Sequence, residues 1–455
     1  MTTASPTFFR SSAAMYRTEE GLGLWPYRGK VAAVGIGHSP TMRRWDGDPQ
    51  TSVGAWSILA IRNAIADAGV SPSEVDGLVF VDSTQSGSSW PTSEPVPENF
   101  LRAFKQTDDP LDGLSKLSGE WLLKNMPELT NVKFVMQAPA CMSMSLTAAI
   151  EAVGRGMTKN CIAVKGWNNF AGRFHHGGAN AQPTVEGPSK YDWSLFGTGV
   201  YTTAMQFQRY LWKYGKTHDM LAPFVVNARR NGLLLPEGFW AQHRPTPLTV
   251  DDYLSSRWIA KPANLYDNDI PIQACAAYLI TTDERAKDMK QKPVYVLGHA
   301  GNGYVRGDQY GGLENRGSLF TETLEQAEER ASALGRKLYE ACGLTARDIQ
   351  FENAYDGFSL FHVFHIEGLG FAGIKRGEAL DFFQGDISIE GPNPVLPSGG
   401  NIGGGRTRCW HHTDTIQQIQ GRAGARQMKI PAEVGVSGGF MPFFCNFVVW
   451  GASPD

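Results

Sequence analysis

Four turns in this sequence carry residues whose types and spacing could do chemistry. The first is Gln137-Ala138-Pro139-Ala140-Cys141-Met142-Ser143-Met144-Ser145, between an apolar run that reads as a strand and one that reads as a helix. A thiol at a helix N-terminus faces unpaired N–H groups and the positive end of the dipole, and both favour the thiolate. Alternatively Cys141 is a small buried hydrophobe, since free cysteine is among the most buried residue types. The second turn is Glu352-Asn353-Ala354-Tyr355-Asp356-Gly357-Phe358-Ser359. There the Tyr355 phenol could exchange a proton with a carbonyl or hydroxyl, or simply close the edge of the core. The third runs from Pro397 to Cys409 and includes Gly399, Gly400, Arg406 and Arg408. Its glycines would let the backbone approach a ligand and expose N–H groups. Its arginines could hold a carboxylate, a thioester oxygen or a phosphate, or lie on the surface of a tight turn. The fourth, Val436-Ser437-Gly438-Gly439-Phe440, reads as a plain glycine turn at a strand end.

Metal chemistry finds little support in the pattern. His175-His176 and Cys409-x-His411-His412 are the clusters present, and neither has zinc-finger spacing. Adjacent histidines point in different directions, so we expect no metal site. The GxxxxGK[ST] phosphate loop is absent, and no GxGxxG follows a first strand.

The elements that must position these turns occur in two copies. Ala68-Gly69-Val70-Ser71 with Glu74-Val75 is matched by Cys342-Gly343-Leu344-Thr345 with Asp348-Ile349, 274 residues later. Each copy follows a similar opening strand, Lys30–Gly35 and Lys292–Gly298. A repeat of this period marks a duplicated domain, since solenoid repeats run about 20–50 residues. The first half reads as strand 30–36, helix 53–68, strands 77–82 and 132–137, helix 142–156 and strand 160–165. A long loop insertion, 167–270, returns through a strand at 274–280. The second half reads as strand 293–300, helix 320–342, strand 348–353, helices 357–369 and 408–424, and strands 433–438 and 444–450. This alternation predicts an α/β fold with mostly parallel sheets. We divide the chain into an N-terminal arm (1–28), a first half (29–285) and a second half (286–455). If the helices after Cys141 and Arg406 are both buried at a pseudo-twofold axis, their N-termini converge on one pocket.

Bulk composition narrows the partners. Hydrophobic residues make up 42% and charged residues 19%, with a net charge of −3. Such a balance gives no sign of a binder of nucleic acid or membrane surfaces. The six cysteines are scattered without a CxxC pair, which points to reduced thiols in a cytoplasm. The N-terminal stretch lacks a hydrophobic signal region.

Several segments together resemble the thiolase superfamily, in its lipid-transfer-protein-type (sterol-carrier thiolase-like) branch. They are AVGIGHSPT, DAGVSPSEVDGL, APACMSMSLTAAIEAVGRG, SSRWIAKPANLYDNDIPIQACAAYLITTDERAKDM, YDGFSLFHVFHIEGLGF and SGGNIGGGR with QGRAGARQ. The resemblance spans about residues 30–452 and implies a duplicated five-layer αβαβα fold. It puts Cys141 where thiolases keep their acyl-accepting nucleophile. The Gly-His-Pro histidine of thiolases falls at Arg406, and their second cysteine falls near Val436. Tyr-Asp-x-Phe at Tyr355 is similar to steroid side-chain aldolases of this branch, which cleave a β-hydroxyacyl-CoA with two tyrosines; the second would lie at Arg406.

These matches imply catalytic roles for Tyr355, Cys141 and Arg406, and substrate or CoA contacts at Gly399, Gly400, Gly438, Gly439 and Asp356. Trp167, Phe174, Trp193, Phe196 and Tyr201, aromatic residues of the insertion, would enclose a ring system or else form ordinary core. The expected reaction is retro-aldol cleavage of a bulky, steroid-like 3-hydroxyacyl-CoA. The alternatives are a thiolase or acyltransferase working through Cys141, and a non-catalytic acyl-CoA- or lipid-binding subunit. Coenzyme A enters as part of the substrate, with no bound cofactor. A homodimer, and a small partner with an OB domain and a zinc ribbon, are also implied.

Overall fold

A computed structural model describes residues 5–82, 90, 94–139, 141–170, 199–303, 323–407 and 409–455. The duplication read in the sequence is the organising feature of the fold. The first half supplies β2 (Val31–His38), β3 (Gly77–Val81), β4 (Phe134–Ala138), β5 (Asn160–Trp167) and β8 (Ala274–Thr282). The second supplies β9 (Val294–Asn302), β10 (Phe351–Ala354), β11 (Val434–Gly438) and β12 (Cys445–Gly451). From edge to centre the first half runs β4-β3-β5-β8-β2 and the second β10-β11-β12-β9. The orders coincide when β3, β5, β8 and β2 are matched with β10, β11, β12 and β9. The place matching β4 is held by Val395, which bridges Glu352 in parallel. A short antiparallel contact, Ala32 to Tyr295 and Ala33 to Val294, joins the halves into one sheet.

Equivalent glycines seat equivalent helices. A Cβ on Gly35 would lie 2.2 Å from the Ala64 carbonyl oxygen, and one on Gly298 would lie 2.8 Å from the Cys342 Cβ. Each outer helix, Val53–Ala68 and Leu324–Cys342, then stops at a glycine in the left-handed region, Gly69 (φ 73°) or Gly343 (φ 67°). Between the halves lies the Met142–Gly154 helix, buried from Met142 to Val153 and packed on β5, β3, β8 and β12. The Trp410–Gln420 helix packs on β11 and β10. Outer helix, first-half strands, central helices, second-half strands and outer helices make up the expected layers.

Three expectations need correction. The sheets are mixed, not mostly parallel: β4-β3-β5 and β10-β11 are parallel, whereas β8 and β12 run antiparallel to both their neighbours. A short hairpin brings the chain from β11 into β12, and such a connection reverses direction. The described part of the insertion is mainly helical, with helices Gly199–Tyr214, Ala222–Leu233, Phe239–His243 and Val250–Ser255, and a ribbon of β6 (Trp258–Ala260) and β7 (Ala263–Asn264). Ala204, Phe207 and Leu211, spaced three and four residues apart, are buried along the first of these.

The 1–28 segment, read as an arm ahead of the first strand, holds a strand of its own. Its β1 (Thr7–Arg10) pairs in parallel with β4, at the sheet edge. Its Trp25 is buried and donates its indole N–H to Glu151 Oε1 at 2.8 Å. Glu151 also accepts from Arg155 Nε and meets His299 Nε2, each at 2.7 Å. One carboxylate therefore ties the N-terminal segment and central helix to β9. Burial opposes its ionisation, yet the His299 and Arg155 contacts carry it down from 4.5 to about 2. A depressed carboxylate stabilises the fold above its unfolded value. That contribution is lost as pH falls from 4.5 through about 2. Glu151→Gln is expected to lower the unfolding free energy by about 2–4 kcal/mol and to flatten the acid side of the stability curve, as measured by urea unfolding from pH 2 to 7. Unchanged midpoints would contradict this role.

Candidate active site

Tyr355 follows β10 directly, and its amide donates to Gly438 O at 2.9 Å. Its ring lies against Phe440 (centroids 5.3 Å apart, edge-on) and near Phe361 and His411 (6.1 Å each). The hydroxyl donates to Gly357 O at 3.2 Å. Gly357 marks the point on which the site closes. A Cβ there would lie 2.5 Å from Asp269 Oδ2, 2.7 Å from the Tyr355 hydroxyl and 2.9 Å from Asn401 Nδ2. A carboxylate, a phenol and a carboxamide thus surround one small residue.

Arg406 belongs to the same cluster. Its Nε and Nη2 reach Asp269 Oδ1 at 2.9 and 2.6 Å, and its amide donates to Ile270 O at 2.8 Å. The guanidinium is buried and ion-paired, which differs from the free anion holder expected from the sequence. Burying a charge without a partner is costly, and Asp269 supplies that partner. Asn401 Oδ1 accepts from the Thr407 amide at 3.3 Å, which turns the NH2 end of that side chain toward Gly357.

Asp356 is engaged within the chain. Its carboxylate is fully buried and accepts from the amides of Asn401 (2.8 Å) and Ile402 (2.9 Å). It also pairs with His411 Nε2 at 3.0 Å. The expected amide donors have partners inside the chain. Gly399 N donates to Leu396 O (2.8 Å), Gly400 N to Ser398 Oγ (3.0 Å) and Gly439 N to Asn446 O (2.8 Å). What these glycines supply is closeness. A Cβ on Gly399 would sit 2.2 Å from Gly232 N, and one on Gly438 would sit 2.4 Å from Asn446 O. One on Gly439 would lie 3.1 Å from the Tyr355 Cβ.

Cys141 is fully buried as the N-cap of the Met142–Gly154 helix, with no side-chain cap hydrogen bond. Cys409 precedes the Trp410–Gln420 helix in the same way. The two N-termini meet, since Ser143 Oγ lies 2.9 Å from His412 Nε2. His412 Nδ1 lies 2.8 Å from Ser437 Oγ, which also accepts from Trp450 Nε1. Burial, and then the neighbouring His411, push the His412 imidazole down to about 3, so this link is neutral. The adjacent histidines diverge: His411 turns to Asp356, and His412 turns to Ser143. Tyr355 and the helix that Cys141 caps thus both reach the first turn of the Trp410–Gln420 helix.

Trp167 ends β5 inside the core, beneath Lys165 Nζ, which lies 4.2 Å from its ring centroid. Phe174, Trp193, Phe196, Arg408 and the Tyr201 side chain lie outside the described residues. Among the described residues, no group of three or more His, Cys, Asp or Glu could hold a metal ion, and no helix is long and apolar enough to cross a membrane.

This arrangement can be set beside known proteins. The family model described as thiolase C-terminal domain-like matches residues 315–445. The solved structure of the Ltp2-ChsH2(DUF35) aldolase covers 93% of this chain and 98% of its own, with a TM-score of 0.69 at 22% identity. The fold is thiolase-like. Human mitochondrial 3-ketoacyl-CoA thiolase shares it at a TM-score of 0.58 and 11% identity, over 94% of this chain and 100% of that one. In sequence, this thiolase-like chain is 27% identical to the 17-hydroxy-3-oxo-4-pregnene-20-carboxyl-CoA lyase of Mycobacterium tuberculosis. That match covers 90% of this chain and 97% of the relative. It is 28% identical to the steroid side-chain-cleaving aldolase of Thermomonospora curvata, over 82% and 86%. The sequence reading assigned no role to Asp269 or Asn401, although both sit inside segments that carry the resemblance, YDNDIP and SGGNIGGG.

The geometry at Gly357 yields a direct test. Gly357→Ala should displace the Tyr355 hydroxyl, Asp269 or Asn401 and lower turnover about 100-fold, with circular dichroism unchanged. Full activity in this variant would mean that the cluster is not the reacting centre.

Proposed function

We propose that the chain is an acyl-CoA aldolase that cleaves a carbon–carbon bond of a bulky, steroid-like 3-hydroxyacyl-CoA. The products are a ketone and a short acyl-CoA. The observation that carries this reading is the Tyr355 hydroxyl, set at a strand end among Asp269 and Asn401, with Arg406 ion-paired to Asp269 beside them. Relatives at 27% and 28% identity named as a lyase and an aldolase support it. In the reaction Tyr355, acting as its phenolate, takes the proton of the C3 hydroxyl and afterwards returns it to C2. The C2–C3 pair then moves into the thioester enolate as C3 becomes a carbonyl, and the enolate is protonated at C2. The turn glycines use their amides internally, so we assign stabilisation of the enolate oxygen to the facing N-termini of the two central helices.

A thiolase route through Cys141 draws on its place at a helix N-terminus, but an ion-paired arginine cannot act as the base that a thiol requires. The assembly we propose is a cytoplasmic homodimer joined by a small OB-fold and zinc-ribbon partner. The solved relative named as an Ltp2-ChsH2(DUF35) aldolase motivates a partner.

Co-expressed with such a partner and given a steroid 3-hydroxyacyl-CoA without free CoA, the chain should release ketone and short acyl-CoA. Tyr355→Phe should lower kcat by about 10²–10⁴, and Cys141→Ser should stay near wild type. Cleavage only of a 3-ketoacyl-CoA, and only with CoA added, would replace this reading with the thiolase one.

A further inference from the structure

We propose that Asp269 is the proton partner of Tyr355, a positioning residue that accepts the phenol proton as Tyr355 takes the substrate's. The inference rests on the aldolase reading and extends it to a residue outside the Tyr355 turn. Its basis is the arrangement around Gly357, where Asp269 Oδ2 and the Tyr355 hydroxyl approach the same point, 2.5 and 2.7 Å from a Cβ built there. Asn401 Nδ2, at 2.9 Å from that point, is the donor on the other side.

The two oxygens of Asp269 are differentiated by their surroundings. Oδ1 takes both contacts from Arg406, at 2.9 and 2.6 Å, while Oδ2 is the one turned to Gly357. Oδ1 therefore anchors the carboxylate, while Oδ2 lies on the Gly357 side with the phenol, whose hydroxyl donates to Gly357 O in the resting structure. A phenol alone is a poor base toward an alcohol, because at neutral pH it carries its own proton. With Asp269 beside it the balance closes. The phenol proton passes to Oδ2, the phenolate oxygen removes the C3 hydroxyl proton, and the C2–C3 pair enters the enolate. Tyr355 then protonates C2 and recovers its proton from Asp269, which leaves both groups as they began. Asn401 donates to the phenolate while it exists.

Among the charged and titratable groups around Asp269 are Arg406, Arg43 and Tyr355. Arg406 is bonded to it, Arg43 feels its charge, and Tyr355 meets it at Gly357. The Asp356–His411 pair is next in the chain of contacts.

The experiment uses the full chain with its co-expressed partner for turnover, and the full chain alone for spectroscopy. Asp269→Asn should lower kcat about 100-fold with KM changed less than about threefold. It should also let Tyr355 ionise at lower pH, since a neighbouring negative charge is gone. That ionisation is read from the 295 nm phenolate absorbance as the difference between matched chains with and without Tyr355→Phe. Arg406→Gln keeps the carboxylate but strips its cation, so the acid limb of kcat should move to higher pH. Asp269→Asn leaves a buried arginine unpaired, so the double variant Asp269→Asn/Arg406→Gln removes both charges and should fold while remaining about 100-fold slow. Wild-type kcat and an unmoved pH profile in either Asp269 variant would overturn the proposal. Absence of retro-aldol turnover in the wild type would instead overturn the aldolase reading, with the Tyr355 titration still reporting whether the two groups are coupled.

Discussion

A single buried carboxylate holds the two ends of the site in register. Asp356 accepts from the amides of Asn401 and Ile402 and from His411, so it joins the end of β10 to both the Gly400–Gly404 helix and the Trp410–Gln420 helix. Such a charge is costly to bury unless its oxygens are satisfied, and here all three contacts come from the chain itself. The neighbours are constrained in turn. A Cβ on Gly400 would stand 2.3 Å from Asp356 Oδ2, which leaves room for glycine alone. With Asp356 fixed, Tyr355 on one side and Gly357 on the other have little freedom. The approach of Asp269 and Asn401 to Gly357 follows from that.

The junction between the halves has a different character. Ser143, His412, Ser437 and Trp450 form a polar line from the first central helix to β11 and β12. Because burial keeps His412 neutral, this line adds no charge to the centre of the molecule. The charged pairs, Asp356–His411 and Asp269–Arg406, lie on the second-half side, around Tyr355. Cys141 sits across the neutral line, capping a helix buried from Met142 to Val153. That asymmetry separates two pseudo-equivalent turns into an acid–base side and a packed side.

Much of the frame was readable in the sequence. The Val53–Ala68 helix begins and ends where its apolar spacing and Gly69 predict, and the same signal repeats at Gly343. Local periodicity and a left-handed stop are properties of short segments, so they survive without knowledge of the fold. The short β1 was missed because four exposed residues owe their strand to a neighbour, β4, about 130 residues away. The insertion hid its helices because Trp, Tyr, Asn and Pro obscured a 3.6-residue period. Roles at the site were harder still. Arg406 and Asp269 are 137 residues apart, and nothing local distinguishes an arginine awaiting an anion from one already paired. Likewise, a glycine-rich turn reads the same whether its amides face a ligand or another helix.

The Arg406 position shows how one side chain can redirect a thiolase-like scaffold. An imidazole there could shuttle a proton, but guanidinium stays protonated throughout the pH range of proteins. It cannot serve as a base for Cys141. Being buried, it also needs a fixed counter-charge, and Asp269 meets that need through Oδ1. A carboxylate held there still has a second oxygen, and that oxygen and the Tyr355 hydroxyl both border Gly357. A permanent cation at this position cannot relay a proton to the cysteine turn. On the aldolase reading proposed above, the carboxylate it holds serves proton transfer at the tyrosine turn instead. On this view the pairing requirement of Arg406 couples the loss of thiol chemistry to the gain of phenol chemistry. The two changes belong to one electrostatic constraint.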